Sequence, residues 1–381
     1  MVRVFITTSH ISCIYLTLYA KRTWRPEFKD VLLVDIGTRR AEVLDLIEKT
    51  AQNHSWGLFH SYSDLVPNHH KFEPSLRKRL TMKWKEAPFV REVYRLLLNR
   101  FLEKRDRRYK QELRNRLHPI APIGTVLSIH AHTETYLRVP LMQAYPGSTC
   151  EFFEHGQGDY IHILSGDKPI GDLHALFAKP FRKFLESRGI ASGWVLDMVP
   201  GQAFHDLAKQ QVDSIGSVQQ GSSIDRPIVY VILEAVDMYN VPVAFWGAYI
   251  DRIVELVPDA SRFHYVLKPH PRQSPLSLEH TAKRCDALGI SYSLLDSGTS
   301  TSTAAEVDFS RWADKTEHVF CLVSSACFYL SQLYPNHNIQ FHYSTSFMEG
   351  WIGDAPAQYK RLFEHMKPLI KEVFAERCQP Y

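Results

Sequence analysis

The chain has 381 residues, 45% of them hydrophobic, and a formal net charge of +4. This length exceeds what a single hydrophobic core usually organises, so we expect two domains with a cleft between them. No stretch reaches 18 apolar residues, so the sequence predicts no membrane-spanning helix. The first residues already belong to a predicted strand, so the sequence predicts no signal peptide. We expect a soluble protein of the cytoplasm.

Six cysteines are spread along the chain, and no two of them have Cys-x-x-Cys spacing. Several lie in strand-like apolar runs. The pattern predicts buried free thiols in a reducing compartment, without a disulfide or a zinc site.

Positive charge is concentrated in one region. Between residues 71 and 116 there are 16 Lys and Arg against 6 Asp and Glu, so the rest of the chain is net acidic. Such a region favours a polyanion or an anionic membrane surface as partner. A solvated helix face would give the same pattern.

Strand-like runs alternate with helical stretches from the first residues onward. A helix is predicted at 11–21, and strands are predicted at 2–7, 31–36, 125–130, 150–153 and 194–198. A helix-rich insertion at 71–117 interrupts this series, and apolar residues recur in it at helical spacing. The alternation is typical of parallel βαβ units.

A second series of the same kind follows a linker. Residues 212–226 are rich in Gly, Ser and Gln, which suits an interdomain segment. Strands are then predicted at 227–233, 263–267, 291–295 and 318–323. We therefore expect an α/β protein of two doubly wound, Rossmann-like domains, at 1–215 and 224–354. Residues 355–381 are expected to form a helix that crosses back to the first domain.

A carboxylate stands directly past one predicted strand. Glu154 follows Phe152-Phe153, so it would leave the sheet at the carboxyl end, where open α/β sheets bind ligands. Gly156, two residues on, would permit a tight turn. Glu154 in this position can serve as a general base, and a strand-end glutamate paired with an arginine is the structural alternative.

A histidine between two prolines follows another strand. In Lys268-Pro269-His270-Pro271 the prolines restrict the backbone and therefore the direction of the ring. An imidazole can donate a proton or a hydrogen bond to a leaving phosphate, and Lys268 adds positive charge. A rigid surface turn with an incidental histidine is the alternative.

Two serines occupy a predicted turn from a strand into a helix. The backbone N–H groups and hydroxyls of Ser324 and Ser325 can hold an anion there without a metal, although simple capping of the helix explains the same residues. Glu306, between the histidine motif and the serine pair, could accept hydrogen bonds from ribose hydroxyls.

Two further patterns bear on the ligand. The chain has no Asp-x-Asp pair to hold a divalent ion across a nucleotide diphosphate, which favours a nucleoside monophosphate donor. Gly156-Gln157-Gly158-Asp159 resembles half of a dinucleotide-binding fingerprint, but it lacks the third glycine and a helix signal after it, so we exclude that interpretation.

Taken in order, Glu154-His155-Gly156, Lys268-Pro269-His270-Pro271, Glu306 and Ser324-Ser325 resemble the acidic-x-Gly, His-Pro and Ser-Ser motifs of bacterial sialyltransferases, especially the polysialyltransferase group. The resemblance spans residues 154–325. Many members of that family carry two acidic residues before the glycine, where this chain has His155.

The resemblance implies a GT-B fold with two Rossmann-like domains facing across a cleft, a CMP-sialic acid donor, inversion at the anomeric carbon, and chemistry without a metal or another cofactor. On that pattern Glu154 deprotonates the acceptor and His270 assists the departure of CMP. The remaining positions implied to bind the donor are Lys268, Pro271, Glu306, Ser324 and Ser325. The implied acceptor is a glycan such as an oligosaccharide or a capsule polymer.

This resemblance gives the basic region two possible uses. Its cations could bind a polyanionic acceptor, or they could dock the protein peripherally on the inner membrane beside a lipid-linked acceptor. The candidate contacts are Arg77, Lys78, Arg79, Lys83, Lys85, Arg105, Arg107 and Arg108.

Three alternatives stay open. The chain could transfer another CMP-sugar, Kdo or legionaminic acid, or it could be a polyol phosphate polymerase that transfers phosphate. A non-enzymatic module could bind a polyanion through residues 71–116, although sparse aromatic residues there make nucleic acid an unexpected partner.

Overall fold

The fold is that of a computed structural model, which describes residues 1–35, 41–61, 110–132, 137–154, 156–164, 171–198, 201–214, 224–234, 236–270, 273–295 and 304–381, together with residues 103, 104, 107 and 135. The chain divides into two compact units, Met1–Glu154 with Pro169–Leu173 and His155–Lys168 with His174–Tyr381. The boundaries of these units differ from the predicted domain bounds of 1–215, 224–354 and 355–381. Those domain bounds stay a prediction.

The first sheet begins with the first residues of the chain. Its strands have the order β3-β2-β1-β4-β5-β6-β7, and the neighbours from β3 to β5 pair in parallel. The strand bounds are β1 (Val2–Thr7), β2 (Lys29–Val34), β3 (Leu58–Ser61), β4 (Leu127–Ala131), β5 (Thr149–Phe153), β6 (Leu173–Ala175) and β7 (Val195–Asp197). All six residues of β1 are buried, as expected for a central parallel strand covered on both faces.

The helices that accompany this part of the chain follow their strands closely. The Ser9 side chain accepts the backbone N–H of Ser12 and so fixes the start of the first helix, two residues after β1 ends. The helix bounds are α1 (His10–Arg22), α2 (Ala41–Ala51), α3 (Arg138–Ala144), α4 (Gln157–Leu164), α5 (Ala178–Glu186) and α6 (Gly201–Ser214).

The second sheet is parallel throughout. Its order is β10-β9-β8-β11-β12-β13, with β8 (Ile228–Ile232), β9 (His264–Lys268), β10 (Ser291–Leu294), β11 (Thr316–Phe320), β12 (Gln340–Tyr343) and β13 (Cys378–Pro380). The helices are α7 (Ala244–Leu256), α8 (Pro275–Leu288), α9 (Ala305–Asp308), α10 (Ser325–Leu333), α11 (Thr345–Glu349) and α12 (Ala357–Leu369). The strand order reverses between β8 and β11, which makes the carboxyl edge there a topological switch point.

The predicted α/β class with two Rossmann-like sheets is confirmed by these strand orders. The predicted arrangement of the two domains across a cleft stays a prediction. Each sheet on its own provides a carboxyl edge at which a ligand can bind.

Two elements differ from what the sequence predicted. Helix α4 begins at Gln157, directly after Gly156, although the sequence showed no helix signal after Gly156-Gln157-Gly158-Asp159. The last helix is interrupted: it is α-helical to Leu369, contains Pro368, and continues as a π-helical turn over Ile370–Phe374. Pro368 lacks the N–H that a regular turn would donate, so the hydrogen-bonding pattern changes after it.

The C-terminal segment packs on helices that precede the predicted linker. Within the second unit, the Phe374 ring lies 4.9 Å from that of Tyr160 on α4 and 5.0 Å from that of Phe177, and both pairs are T-shaped. These buried aromatic pairs hold the end of the chain against α4 and α5.

Candidate functional site

In the first unit, Glu154 lies directly past the end of β5 and is only 1% exposed. His132, directly past β4, is also 1% exposed, and its Nδ1 lies 3.0 Å from the carbonyl oxygen of Phe153. Because a carbonyl oxygen only accepts, Nδ1 carries the proton of this hydrogen bond. His132 therefore ties the end of β4 to the residue before Glu154.

A second polar contact lies at the same edge of this sheet. The Thr135 hydroxyl donates a hydrogen bond of 2.7 Å to Oδ2 of Asp35, which follows β2. The sequence prediction named none of Asp35, His132 and Thr135. In the structure Asp35 and His132 directly follow β2 and β4, and Thr135 lies four residues past β4. The predicted strand at 31–36 contained Asp35, so only His132, two residues past the predicted strand at 125–130, carried a signal close to that of Glu154.

The turn after Glu154 does not depend on a glycine conformation. The φ angle of Gly156 is not in the left-handed region, and a Cβ built on it would meet no atom within 4 Å. Gly156 was expected to permit a tight turn here, and this backbone gives no steric reason that the residue must be a glycine. His155 lies outside the described residues.

In the second unit, Lys268 ends β9 in a buried ion pair. Its Nζ lies 3.2 Å from Oδ2 of Asp308 on α9, and both side chains are 5% exposed. Arg311 approaches the other oxygen of Asp308 at 3.7 Å. The charge of Lys268 is thus largely matched within the protein, and Asp308 is a residue that the sequence prediction missed.

Glu306 lies on α9 beside the same cluster. It is 8% exposed, and its backbone carbonyl accepts a hydrogen bond of 3.2 Å from the Tyr334 hydroxyl. Burial raises the pKa of the Glu306 carboxyl, while a backbone N–H and the charge of Lys268 act in the opposite direction. Lys268 and Glu306, predicted separately from sequence, therefore lie close enough to interact electrostatically.

His270 is half-buried two residues past β9. Its backbone carbonyl accepts the N–H of Gln273 at 2.9 Å, which closes the turn into helix α8. Pro269, whose ring restricts the backbone before the imidazole, is buried. Pro271 lies outside the described residues.

Ser324 caps helix α10, as one of the two sequence interpretations predicted. Its side chain accepts the N–H of Ala326 at 3.3 Å. Ser325 is the first residue of the helix, and the N–H of a first helical residue has no acceptor within its own helix. Both serines are half-buried.

A buried carboxylate occupies most of the backbone donors in this loop. One oxygen of Glu234, Oε1, accepts the N–H groups of Leu322, Val323 and Ser324 at 2.8, 2.6 and 2.7 Å. The Ser324 N–H is therefore already used, so an anion at this loop would rely on the serine hydroxyls and the N–H of Ser325. Burial raises the pKa of Glu234 to about 7, against the lowering effect of the three N–H groups.

Glu234 is the main residue that the sequence prediction missed in this unit. It follows the predicted strand at 227–233 directly, so it carried the same signal as Glu154. Its contact with residues 322–324 crosses the switch point between β8 and β11.

The predicted donor residues lie at one edge of the second sheet. His270 follows β9 and Ser324 follows β11, and β8 lies between these two strands. Two strand spacings correspond to about 10 Å, the scale of a nucleoside monophosphate. Glu154 belongs to the other compact unit.

The basic region falls mostly outside the described residues. Of the proposed acceptor contacts, only Arg107 is described, in an exposed helical position. Arg77, Lys78, Arg79, Lys83, Lys85, Arg105 and Arg108 lie outside the described part of the chain.

A separate depression of about 620 Å³ opens at the amino-terminal edge of the second sheet. Charged and histidine side chains line it, among them Arg226, Lys315, Glu317, His318 and His337. Its lining includes none of the predicted site residues, so it is distinct from the edge that carries His270 and Ser324.

The described residues hold neither a cluster suited to a metal ion nor a membrane-spanning helix. No group of three or more His, Cys, Asp or Glu side chains there is placed to hold a metal ion. Over the same part of the chain, no helix has the length and apolar character needed to cross a bilayer. The six cysteines are free and buried.

No family model matches this sequence, and no curated protein matches it. Among solved structures, the chain is similar to UDP-GlcNAc 2-epimerase from Methanocaldococcus jannaschii in complex with UDP-GlcNAc and UDP, with 10% identity over 90% of this chain and 83% of that chain and a TM-score of 0.49.

Two further solved structures have comparable similarity. A putative UDP-N-acetylglucosamine 2-epimerase from Listeria monocytogenes is 13% identical over 100% of this chain and 92% of that chain, with a TM-score of 0.47. An α,α-trehalose-phosphate synthase (UDP-forming) from Burkholderia vietnamiensis is 12% identical over 98% and 93%, with a TM-score of 0.40. At such identities and TM-scores, these similarities carry no argument about the site or its substrate.

Proposed function

We propose that this chain is an inverting glycosyltransferase that moves sialic acid from CMP-sialic acid to a hydroxyl of an oligosaccharide or polysialic acid acceptor. The observation that supports the proposal is the placement of Lys268, His270 and Ser324 at the carboxyl ends of β9 and β11 of one parallel sheet, with Glu306 near Lys268. Open α/β sheets bind nucleotides at this edge.

The donor half of the reaction requires stabilisation of a departing phosphate. As the bond between the anomeric carbon and the phosphate oxygen breaks, its electron pair stays on that oxygen. We assign His270 to donate a hydrogen bond or proton there, and Ser324 and Ser325 to hold the phosphate through their hydroxyls and the helix N-terminus. Glu306 would accept hydrogen bonds from the ribose.

The paired charges limit the role of Lys268. Because Asp308 already neutralises this lysine, we assign Lys268 to fix the position of α9 and its Glu306 rather than to contact the phosphate as a free cation. This differs from the direct donor contact that the sequence resemblance implied.

The acceptor half requires a base. We assign Glu154 to take the proton of the acceptor hydroxyl as its oxygen bonds to the anomeric carbon, in a single displacement that inverts the configuration. The position of Glu154 supports this assignment, because it directly follows β5 at the carboxyl edge of its sheet, where open α/β sheets bind ligands. Cations of the 71–117 insertion would bind an anionic acceptor or an anionic membrane beside it.

The experiment that tests the proposal is release of CMP from a panel of donors by the purified full chain. We expect acceptor-dependent release from CMP-sialic acid, and none from UDP-GlcNAc. Turnover of CMP-Kdo or CMP-legionaminic acid alone would show that the chain transfers a different sugar by the same chemistry. Release of CMP from CDP-glycerol alone would identify a polyol phosphate polymerase, and no turnover of any donor would contradict the proposal.

A further inference from the structure

Glu234 places a negative charge at the loop to which the proposed function assigns the phosphate. Its Oε1 lies within 2.8 Å of three backbone nitrogens, and Glu234 is 9% exposed. An ionised carboxylate is suited to this position, because it accepts hydrogen bonds without donating any. The contact therefore shapes the loop and also gives it a negative charge whenever Glu234 is ionised.

No cation among the described residues is seen to neutralise this carboxylate. In the described part of the chain, hydroxyls and thiols interact with it electrostatically: Tyr239 from the turn after β8, Tyr249 from α7, Cys321 and Cys327 around the start of α10, and Tyr381 from the end of the chain. Burial raises the pKa of each of these groups, so they stay neutral near pH 7. The nearby Lys268 is paired with Asp308.

Transfer changes the charge of the ligand at this loop. In a CMP-sugar the phosphate is a diester with one negative charge. When the glycosidic bond breaks, the electron pair remains on the phosphate, the sugar bonds to the acceptor oxygen, and the acceptor proton goes to the base. The product CMP is a monoester with a second pKa near 6, so it is largely a dianion at pH 8.

We propose that the Glu234 carboxylate discriminates by charge between the two phosphates of the proposed reaction, tolerating the singly charged phosphodiester of the donor and weakening the hold on the doubly charged monoester of CMP. Glu234 is then a specificity residue that favours product release, as well as a residue that positions the 322–324 backbone. The inference rests on the proposed function, since it needs the phosphate to bind beside Ser324 and Ser325.

The test compares two ligands of different charge by calorimetry at pH 8 and pH 5.5. The ligands are CMP and the diester cytidine 5′-methyl phosphate, and the proteins are the wild type and Glu234→Gln. The amide keeps an oxygen for the three N–H groups and removes the charge. At pH 8 we expect Glu234→Gln to bind CMP about tenfold more tightly, and the diester about threefold more tightly, because repulsion scales with ligand charge.

The difference between the two ligands should disappear at pH 5.5, where CMP is largely a monoanion and Glu234 is protonated. Glu317→Gln is the matched control, because Glu317 lies on β11 of the same sheet in an exposed ion pair with Arg262, and it should leave both affinities unchanged. Thermal unfolding checks that both variants are folded.

The outcomes separate this inference from the proposed function. Equal changes for both ligands at both pH values would overturn charge discrimination and leave Glu234 a shaping residue, while the donor site stands. If neither ligand binds the wild type, the proposed donor site fails and the inference fails with it.

Discussion

Lys268 and Asp308 form a buried ion pair in which Nζ lies 3.2 Å from Oδ2, and each side chain is 5% exposed. The pair connects the end of β9 to helix α9, so it holds the His270 loop and Glu306 in a fixed relation. A buried charge is tolerated only with its partner, which makes the pair a sensitive point of the second unit.

Asp308→Ala should destabilise the protein by about 3 kcal/mol, because it leaves the Lys268 ammonium buried without its partner. Urea unfolding measures the change. Glu317→Ala breaks an exposed pair with Arg262 and serves as control, with an expected loss of at most about 1 kcal/mol. Equal losses in the two variants would contradict the buried pairing.

Asp30 should make stability depend on pH in strongly acidic solution. Arg3 donates to both Asp30 oxygens, at 2.7 and 2.5 Å, and His54 Nε2 lies 2.7 Å from Oδ2. Burial would raise the pKa of Asp30, but these partners hold it below its usual value of 3.8. The stabilisation is therefore complete above about pH 4 and is lost as the pH falls through the lowered pKa.

Asp30→Asn should cost about 3 kcal/mol at pH 7, with the difference from the wild type shrinking below pH 4. Unfolding free energies measured from pH 7 to pH 2 provide the comparison. Asp45→Asn, which removes an exposed pair with Lys49, should change stability by less than about 1 kcal/mol. A constant difference between Asp30→Asn and the wild type down to pH 2 would refute the lowered pKa.

His10 should make the folding stability depend on pH in a less acidic range than Asp30 does. It is 2% exposed at the start of α1, and its Nε2 lies 3.1 Å from the Thr50 hydroxyl. Burial lowers the pKa of His10 from 6.5 to about 4, so the neutral ring is favoured by folding. Its stabilisation is complete above pH 6.5 and declines as the pH falls toward 4, where the unfolded chain binds the proton first.

The stability lost between pH 6.5 and pH 4 should be smaller in His10→Asn than in the wild type, by up to about 3 kcal/mol. Chemical unfolding at each pH gives this difference. The exposed His365 provides a matched substitution, and His365→Asn should keep the wild-type dependence. An unchanged loss in His10→Asn would show that the ring is not held neutral.

Much of the fold was predictable because buried parallel strands are continuous apolar runs. The predicted strand at 2–7 matches β1, and most others agree within two residues. The missed strands are short or mixed in character. β3 reads Leu-Phe-His-Ser, β6 has three residues, β12 reads Gln-Phe-His-Tyr, and β13 ends in a proline, so none carries a distinct period.

The site was predictable in part. Residues past the ends of strands could be recognised from sequence, and the structure places His270, Lys268, Ser324 and Glu306 at one edge of one unit. Partners could not be assigned, because sequence order does not say that Glu234 bonds to residues 322–324, some 90 positions away. The same holds for Asp308, whose pairing with Lys268 exists only after β9 and α9 pack together.

The most direct test of the proposed transfer is the rate of acceptor-dependent CMP release from CMP-sialic acid by wild-type protein, Glu154→Gln and His270→Ala. The controls are Glu27→Gln and His280→Ala, which change exposed residues of the same types. Loss of the base or of leaving-group stabilisation should lower the rate by about 10²–10⁴ in each site variant while the protein remains folded, and the controls should keep the wild-type rate. Site variants that stay folded and release CMP at the wild-type rate would contradict the account.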